Sequence, residues 1–200
     1  MFSMKTKPRI AIFASGSGSN AQRIAEYFAD KDLLEISAIY CNNPEAFVIE
    51  RAKLLGIPSV IFSRDNFYNT NSILEDLKSR EIDWIVLAGF LWLIPDNILK
   101  AFPQRIINIH PALLPAYGGK GMFGIKVHEA VIAAGEKQSG ITIHHVNELY
   151  DEGDIIFQAT CRIQPGDTPE ILATKIHELE YEHFPVVIRK LVAAGRKVNS

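Results

Sequence analysis

Short apolar runs recur along this chain, and most are followed by a segment whose apolar residues fall at helical spacing. Arg9-Ile-Ala-Ile-Phe-Ala14 leads into a helix predicted over 21–29. Ile36-Ser-Ala-Ile-Tyr-Cys41 leads through Asn42-Asn-Pro44 into a helix over 46–55, with Gly56 as its stop. Ser59-Val-Ile-Phe62 precedes a helix over 66–79, and Trp84-Ile-Val-Leu-Ala88 precedes a shorter one over 95–101. Runs of four to eight residues that are apolar on both faces are strands inside a sheet, and helices between them make crossovers that keep those strands parallel. Few folds accept that pattern.

The pattern changes after residue 125. A helix over 127–134, closed by Gly135, is followed by Gly140-Ile-Thr-Ile-His-His-Val146 and Ile155-Ile-Phe-Gln-Ala-Thr-Cys161, strands joined only by the polar segment 147–153. So short a connection makes an antiparallel hairpin. Thr168 and Pro169 then open a terminal helix with Glu170 in its first turn and apolar Leu172, Ile176 and Leu179. The expected fold is α/β and Rossmann-like: one mostly parallel central sheet, helices on both faces, and an antiparallel hairpin toward the C-terminus.

At 200 residues the chain suits one domain, 1–200, with flexible termini at 1–8 and 194–200. A net charge of -2 gives no electrostatic footprint for nucleic acid, and no apolar window reaches the length of a membrane span. Small-molecule substrates, with neither nucleic acid nor membrane as partner, are expected, in a monomer or homodimer. Cys41 and Cys161 form no C-x-x-C, and residues 10–14 are too short for a signal-peptide core, which together point to a cytoplasmic protein with reduced thiols.

Chemistry has three candidate locations. Gly16-Ser-Gly-Ser-Asn20 is a glycine-rich turn at a helix start, where backbone N–H groups can hold a phosphate. It nearly matches a dinucleotide fingerprint, but Cys41-Asn42-Asn43 supplies no carboxylate at the end of the second strand. A simple phosphate fits better, and a turn rich in Ser and Gly only because it is tight remains the alternative. The second location is Ile106-Ile-Asn-Ile-His-Pro111, where Asn108 and His110 lie two apart on one strand and therefore on one face, at its carboxyl end. An amide that donates to an oxyanion and an imidazole that moves protons suit acyl transfer, and Asp151 in the hairpin connection could orient the histidine or a water. The third is Phe90-Leu-Trp-Leu-Ile94, which could floor a pocket for a flat aromatic ligand or simply pack in the core. No metal is expected: His177-Glu-Leu-Glu-Tyr181 lacks the second histidine of H-E-x-x-H, and His144 and His145, adjacent on a strand, face opposite sides.

These residues carry a resemblance from residue 10 to about 191. Ser15-Gly-Ser-Gly-Ser-Asn20, Leu87-Ala-Gly-Phe90, Asn108-Ile-His-Pro-Ala-Leu-Leu-Pro115, Gly140-Ile-Thr-Ile-His144 and Tyr150-Asp-Glu-Gly153 resemble, in order and spacing, the folate-dependent phosphoribosylglycinamide formyltransferases of purine biosynthesis. The resemblance implies a formyltransferase fold and 10-formyltetrahydrofolate as co-substrate, with no metal. It implies catalytic roles for Asn108, His110 and Asp151. It also implies that Gly18, Ser19 and Asn20 take the substrate phosphate and that Glu180 contacts the glycinamide. The folate would lie against Leu91, Trp92, Leu93 and Ile94 on one side and Asn147, Glu148, Leu149, Tyr150 and Asp151 on the other, with Asn108 beside it. Trp92 departs from the arginine common at that position, and the loop after Pro115 is longer and richer in glycine than in the shortest members. A formyltransferase acting on another amine and a non-catalytic phosphate- or nucleotide-binding module are the rival readings. The phosphate loop weighs against the first, and the pairing of Asn108 with His110 against the second.

Overall fold

The computed structural model describes residues 7–198. Of the termini expected to be flexible, residues 1–6 and 199–200 lie outside that range, and 194–198 lie within the last helix. The elements are β1 (Arg9–Ala14), α1 (Ser19–Phe28), β2 (Glu35–Cys41), α2 (Phe47–Leu54), β3 (Ser59–Ile61), α3 (Arg64–Tyr68), α4 (Ser72–Ser79) and β4 (Trp84–Leu87). They continue with α5 (Asp96–Ala101), β5 (Ile106–His110), α6 (Ile125–Ala133), β6 (Gln138–His145), β7 (Ile155–Arg162) and α7 (Pro169–Val198). The strands form a seven-stranded sheet in the order β3-β2-β1-β4-β5-β6-β7. β1 runs parallel to β2 and β4, and β2 to β3, whereas β6 is antiparallel to both β5 and β7. The mostly parallel sheet with a C-terminal hairpin is the one the periodicity predicts.

The chain divides into two compact units. In the first, residues 7–90 with 188–198, β1 has neighbours on both edges, and Ile10 through Ala14 are completely buried. Phe13 stacks on Tyr40 with ring centroids 4.7 Å apart, and Phe62, Phe67 and Phe90 close around it. The Tyr40 hydroxyl donates to Asp76 Oδ2 at 2.6 Å, and Arg80 Nε donates to the same oxygen at 2.9 Å. Burial first, and the Asp76 carboxylate second, push the Tyr40 phenol well above its ordinary range.

Gly56 ends α2 as expected: at φ +68 its N–H reaches the Lys53 carbonyl and that of Ile57 reaches Ala52. The single helix predicted over 66–79 is instead α3 and α4. Ser63 and Asn66 cap α3 reciprocally, the Thr70 hydroxyl donates back to the Asn66 carbonyl, and the Ser72 N–H donates to that hydroxyl. Local side-chain bonds of this kind compete with helical ones and stop the helix at Asn69.

The second unit, residues 91–187, holds the hairpin and β5. Thr168 caps α7, accepting the Ile171 N–H at 3.3 Å. The buried row along α7 is Leu172, Ile176, Glu180 and Phe184, four apart, whereas Leu179 is only half-buried. A carboxylate therefore stands where the spacing calls for an apolar side chain.

Candidate functional site

Antiparallel pairing sets Asn108 opposite His144, and His110 opposite Thr142. Thr142 in turn pairs with Gln158 on β7. Because strand side chains alternate, these residues form a polar stripe on one face of three adjacent strands. The Thr142 hydroxyl, fully buried, donates to the Ala112 carbonyl at 2.7 Å, accepts the Leu114 N–H at 2.9 Å and accepts from Gln158 Nε2 at 2.9 Å. One side chain thus fastens the chain where it leaves β5.

Asp151 reaches this stripe from the β6–β7 connection. Its own backbone is left-handed, φ +58, a conformation that Asp tolerates better than most residues. Gly153 allows the approach, since a Cβ there would lie 1.7 Å from the His145 carbonyl oxygen. Asp151 Oδ2 accepts the Gly119 N–H at 3.0 Å and lies 3.4 Å from His110 Nδ1, while Oδ1 lies 3.6 Å from His144 Nε2.

Carbonyl oxygens only accept, which fixes the protons. His110 Nε2 donates to the Tyr117 carbonyl at 2.8 Å, leaving Nδ1 to face Asp151. His144 Nδ1 donates to the His145 carbonyl at 2.8 Å, so in the neutral ring Nε2 is an acceptor. The Asn108 amide donates to that nitrogen at 3.1 Å and to Asp151 Oδ1 at 3.4 Å. The sequence reading gives this amide an oxyanion to bind; in the structure its N–H groups already serve His144 and Asp151, because the register places a second histidine opposite.

Burial lowers the pKa of His110, with Asp151 and the Tyr117 carbonyl pulling the other way and His144 adding to the fall. Burial alone would raise Asp151, but His144, His110 and the Gly119 N–H together outweigh it and hold the carboxyl below its ordinary value. The result is an ionised carboxylate beside an imidazole whose Nδ1 can gain and lose a proton. His144 is the member of this group to which the sequence reading assigns no role. Its signal was the alternation Gly140, Thr142, His144 in a motif already singled out.

The remaining candidates take these positions. Gly18, at φ +74, is the N-cap of α1, and Ser19 and Asn20 are the first residues of that helix. No acidic residue stands in the first turn to repel an anion. Glu180 is buried, 6 % exposed, on α7. Phe90 and Ile94 are core residues, whereas Leu91 is 45 % exposed and Trp92 and Leu93 are half-buried, so only the middle of that segment is presented to a ligand. In the connection, Leu149 is 50 % exposed, Glu148 exposed, Tyr150 half-buried, and the Asn147 side chain accepts the Leu149 N–H. Among the described residues no helix is long and apolar enough to cross a membrane, and no three His, Cys, Asp or Glu side chains are grouped to hold a metal.

The formyl transferase family model matches residues 8–188. The chain is 39% identical over 91% of its length to the chloroplastic phosphoribosylglycinamide formyltransferase of Arabidopsis thaliana, of which it spans 64%, less than two thirds. It is 38% identical over 94% of its length to phosphoribosylglycinamide formyltransferase of Bacillus subtilis, spanning 97% of that protein. The crystal structure of glycinamide ribonucleotide transformylase 1 from Geobacillus kaustophilus superposes with a TM-score of 0.84 at 40% identity, covering 93% of this chain and 99% of the other. The family match over residues 8–188, with 38% identity to a relative spanned almost end to end and a fold shared at 40% identity, places the chain in the formyl transferase family, among the phosphoribosylglycinamide formyltransferases.

Proposed function

We propose that this chain transfers the formyl group of 10-formyltetrahydrofolate to the amine of 5'-phosphoribosylglycinamide, giving formylglycinamide ribonucleotide and tetrahydrofolate. The observation that carries this reading is the cluster of Asn108, His110, His144 and Asp151 at the carboxyl end of β5, with a proton position between His110 Nδ1 and Asp151. Membership of the family supplies the substrate class, and the α1 N-terminus supplies a place for a phosphate.

In this reading the amine nitrogen attacks the formyl carbon, and the carbonyl π electrons move to oxygen. The oxyanion competes with Asp151 for an Asn108 N–H, since that 3.4 Å bond is the longer of the two the amide makes. His110, taking a proton from solvent at Nδ1 before attack and returning it after collapse, stabilises the same oxygen. Asp151 remains ionised and holds the water that carries the proton from the attacking nitrogen to the folate nitrogen, N10. Collapse then restores the carbonyl and breaks the bond between carbon and N10. Glu180, buried beside apolar neighbours on α7, would receive the amine-bearing portion of the substrate. The exposed Leu91 and Leu149 offer apolar surface of the kind a pterin ring covers. Cys41 and Cys161 are free thiols, in keeping with a reducing, cytoplasmic setting.

The test is turnover of 10-formyltetrahydrofolate with glycinamide ribonucleotide, followed by the absorbance of the deformylated folate. No turnover at micromolar enzyme defeats the reading. Turnover with a different amine in place of the ribonucleotide moves the activity to another member of the family.

A further inference from the structure

The glycine-rich turn before α1 is held from outside itself. Two hydrogen bonds from α2 reach its carbonyls, and a third reaches the first turn of α1. The Val48 N–H donates to the Gly16 carbonyl at 3.1 Å, and Arg51 Nε donates to the Ser17 carbonyl at 2.8 Å. Arg51 Nη1 also donates to the Gln22 side chain, whose own amide donates to Glu26 at 2.7 Å. The Arg51 guanidinium lies over the Phe47 ring, 4.9 Å from its centroid, so its plane is fixed on that side as well.

These bonds matter because of peptide geometry. In a trans peptide the C=O and the following N–H point in opposite directions. Turning the Gly16 and Ser17 carbonyls toward α2 therefore turns the Ser17 and Gly18 N–H groups away from it. The fit is close on the α2 side, where a Cβ on Gly18 would lie 2.3 Å from Val48 Cγ2. A backbone anion site works only if its N–H groups converge before the anion arrives, and here the donors that set the direction come from another helix.

We infer that Arg51 is a positioning residue for phosphate recognition, fixing the Ser17–Gly18 peptide and the first turns of α1 so that their N–H groups converge on the phosphate of the amine substrate. The inference rests on the reading of Gly18, Ser19 and Asn20 as the phosphate cradle. It adds a residue outside the cradle, acting through the Ser17 carbonyl. Arg51→Met removes both bonds and the charge. Arg51→Lys keeps the charge but has no planar fork with which to meet the Ser17 carbonyl and Gln22 together.

The experiment compares the wild type with both variants on glycinamide ribonucleotide and on the phosphate-free glycinamide riboside. Arg51→Met should raise KM for the ribonucleotide by about tenfold or more, with kcat and the folate KM within about twofold, and Arg51→Lys should fall between. All three proteins should process the riboside alike. An unchanged ribonucleotide KM in both variants, or an equal loss on the two substrates, overturns the inference. If Arg51→Met does not fold, the Lys variant carries the comparison on the same criteria. If the wild type turns over neither substrate, the substrate reading fails and titration with inorganic phosphate followed by 31P NMR decides the role of Arg51. Binding weakened about tenfold in the Met or Lys variant then supports it. Equal binding by wild type and variants, or none by the wild type, overturns it.

Discussion

The two ring nitrogens of His110 meet different partners, a backbone carbonyl at one and a carboxylate at the other. Its bond to the Tyr117 carbonyl fixes a tautomer; the facing Asp151 makes Nδ1 the nitrogen that titrates. His110→Ala should accordingly reduce kcat by about 10²–10⁴ while the melting temperature shifts by only a few degrees. Stopped turnover with an unfolded protein would instead assign His110 to the core. Asn108→Asp sets a carboxylate beside Asp151, and two carboxylates so close share a proton. The variant should lose at least about a hundredfold in kcat at pH 7, recovering in part at lower pH as the pair takes up that proton; a flat pH-rate profile would argue against the placement. The Asn108–His110 pair was legible from strand period alone. His144 shared that signal of alternation, but its place opposite Asn108 depends on cross-strand register, which no local pattern contains. Glu180 was legible in principle: it stands four residues after Ile176 and four before Phe184, a charged residue in a row otherwise apolar.

Among the elements, Thr142 ties down the chain after β5, and Gly18 lets the turn before α1 sit close to α2. Thr142→Val, nearly the same shape, would strand the Leu114 N–H and the Ala112 carbonyl inside the core. A loss of about 1–3 kcal/mol in urea unfolding, together with a lower kcat, is the expected result. Gly18→Ala faces both a left-handed backbone and Val48, so it should cost about 2 kcal/mol or more and raise the ribonucleotide KM; wild-type stability in that variant would mean that the turn can relax. Helix starts and stops that depend on one residue, such as Gly56, Gly135 and Thr168, were readable in the chain. The break between α3 and α4 was hidden, since the apolar spacing runs on through it and only side-chain bonds to the backbone interrupt it.

For the whole molecule the buried histidines set the acid limit. Burial, with His177 and His110 adding to it, lowers His128 from 6.5 to about 4, and burial also lowers His110 and the half-buried His145. A histidine whose folded value lies below its unfolded one leaves the unfolded chain holding more protons between the two. Its contribution is therefore present above about pH 6.5 and lost as the pH falls toward 4. Between pH 7.5 and 5.5 the wild type should lose about 1.4 kcal/mol more than His128→Gln in urea unfolding, and parallel losses would show that His128 titrates normally. Asp151 acts in the same sense at lower pH, since its depressed value gives stability that disappears as the pH drops through it. The mostly parallel sheet and the antiparallel hairpin were readable as a class from alternating periods, but the strand order and the division into two compact units were not, for they follow from which contacts form rather than from any shift in composition. That division has a consequence for descent. The side chains proposed to handle the proton all fall between residues 108 and 151, on β5, β6 and the connection that follows, and the turn proposed to hold the phosphate lies far upstream in the sequence, in the first unit. On that assignment, phosphate recognition and formyl passage are inherited on separate stretches of one gene, so a lineage can alter the first and keep the second.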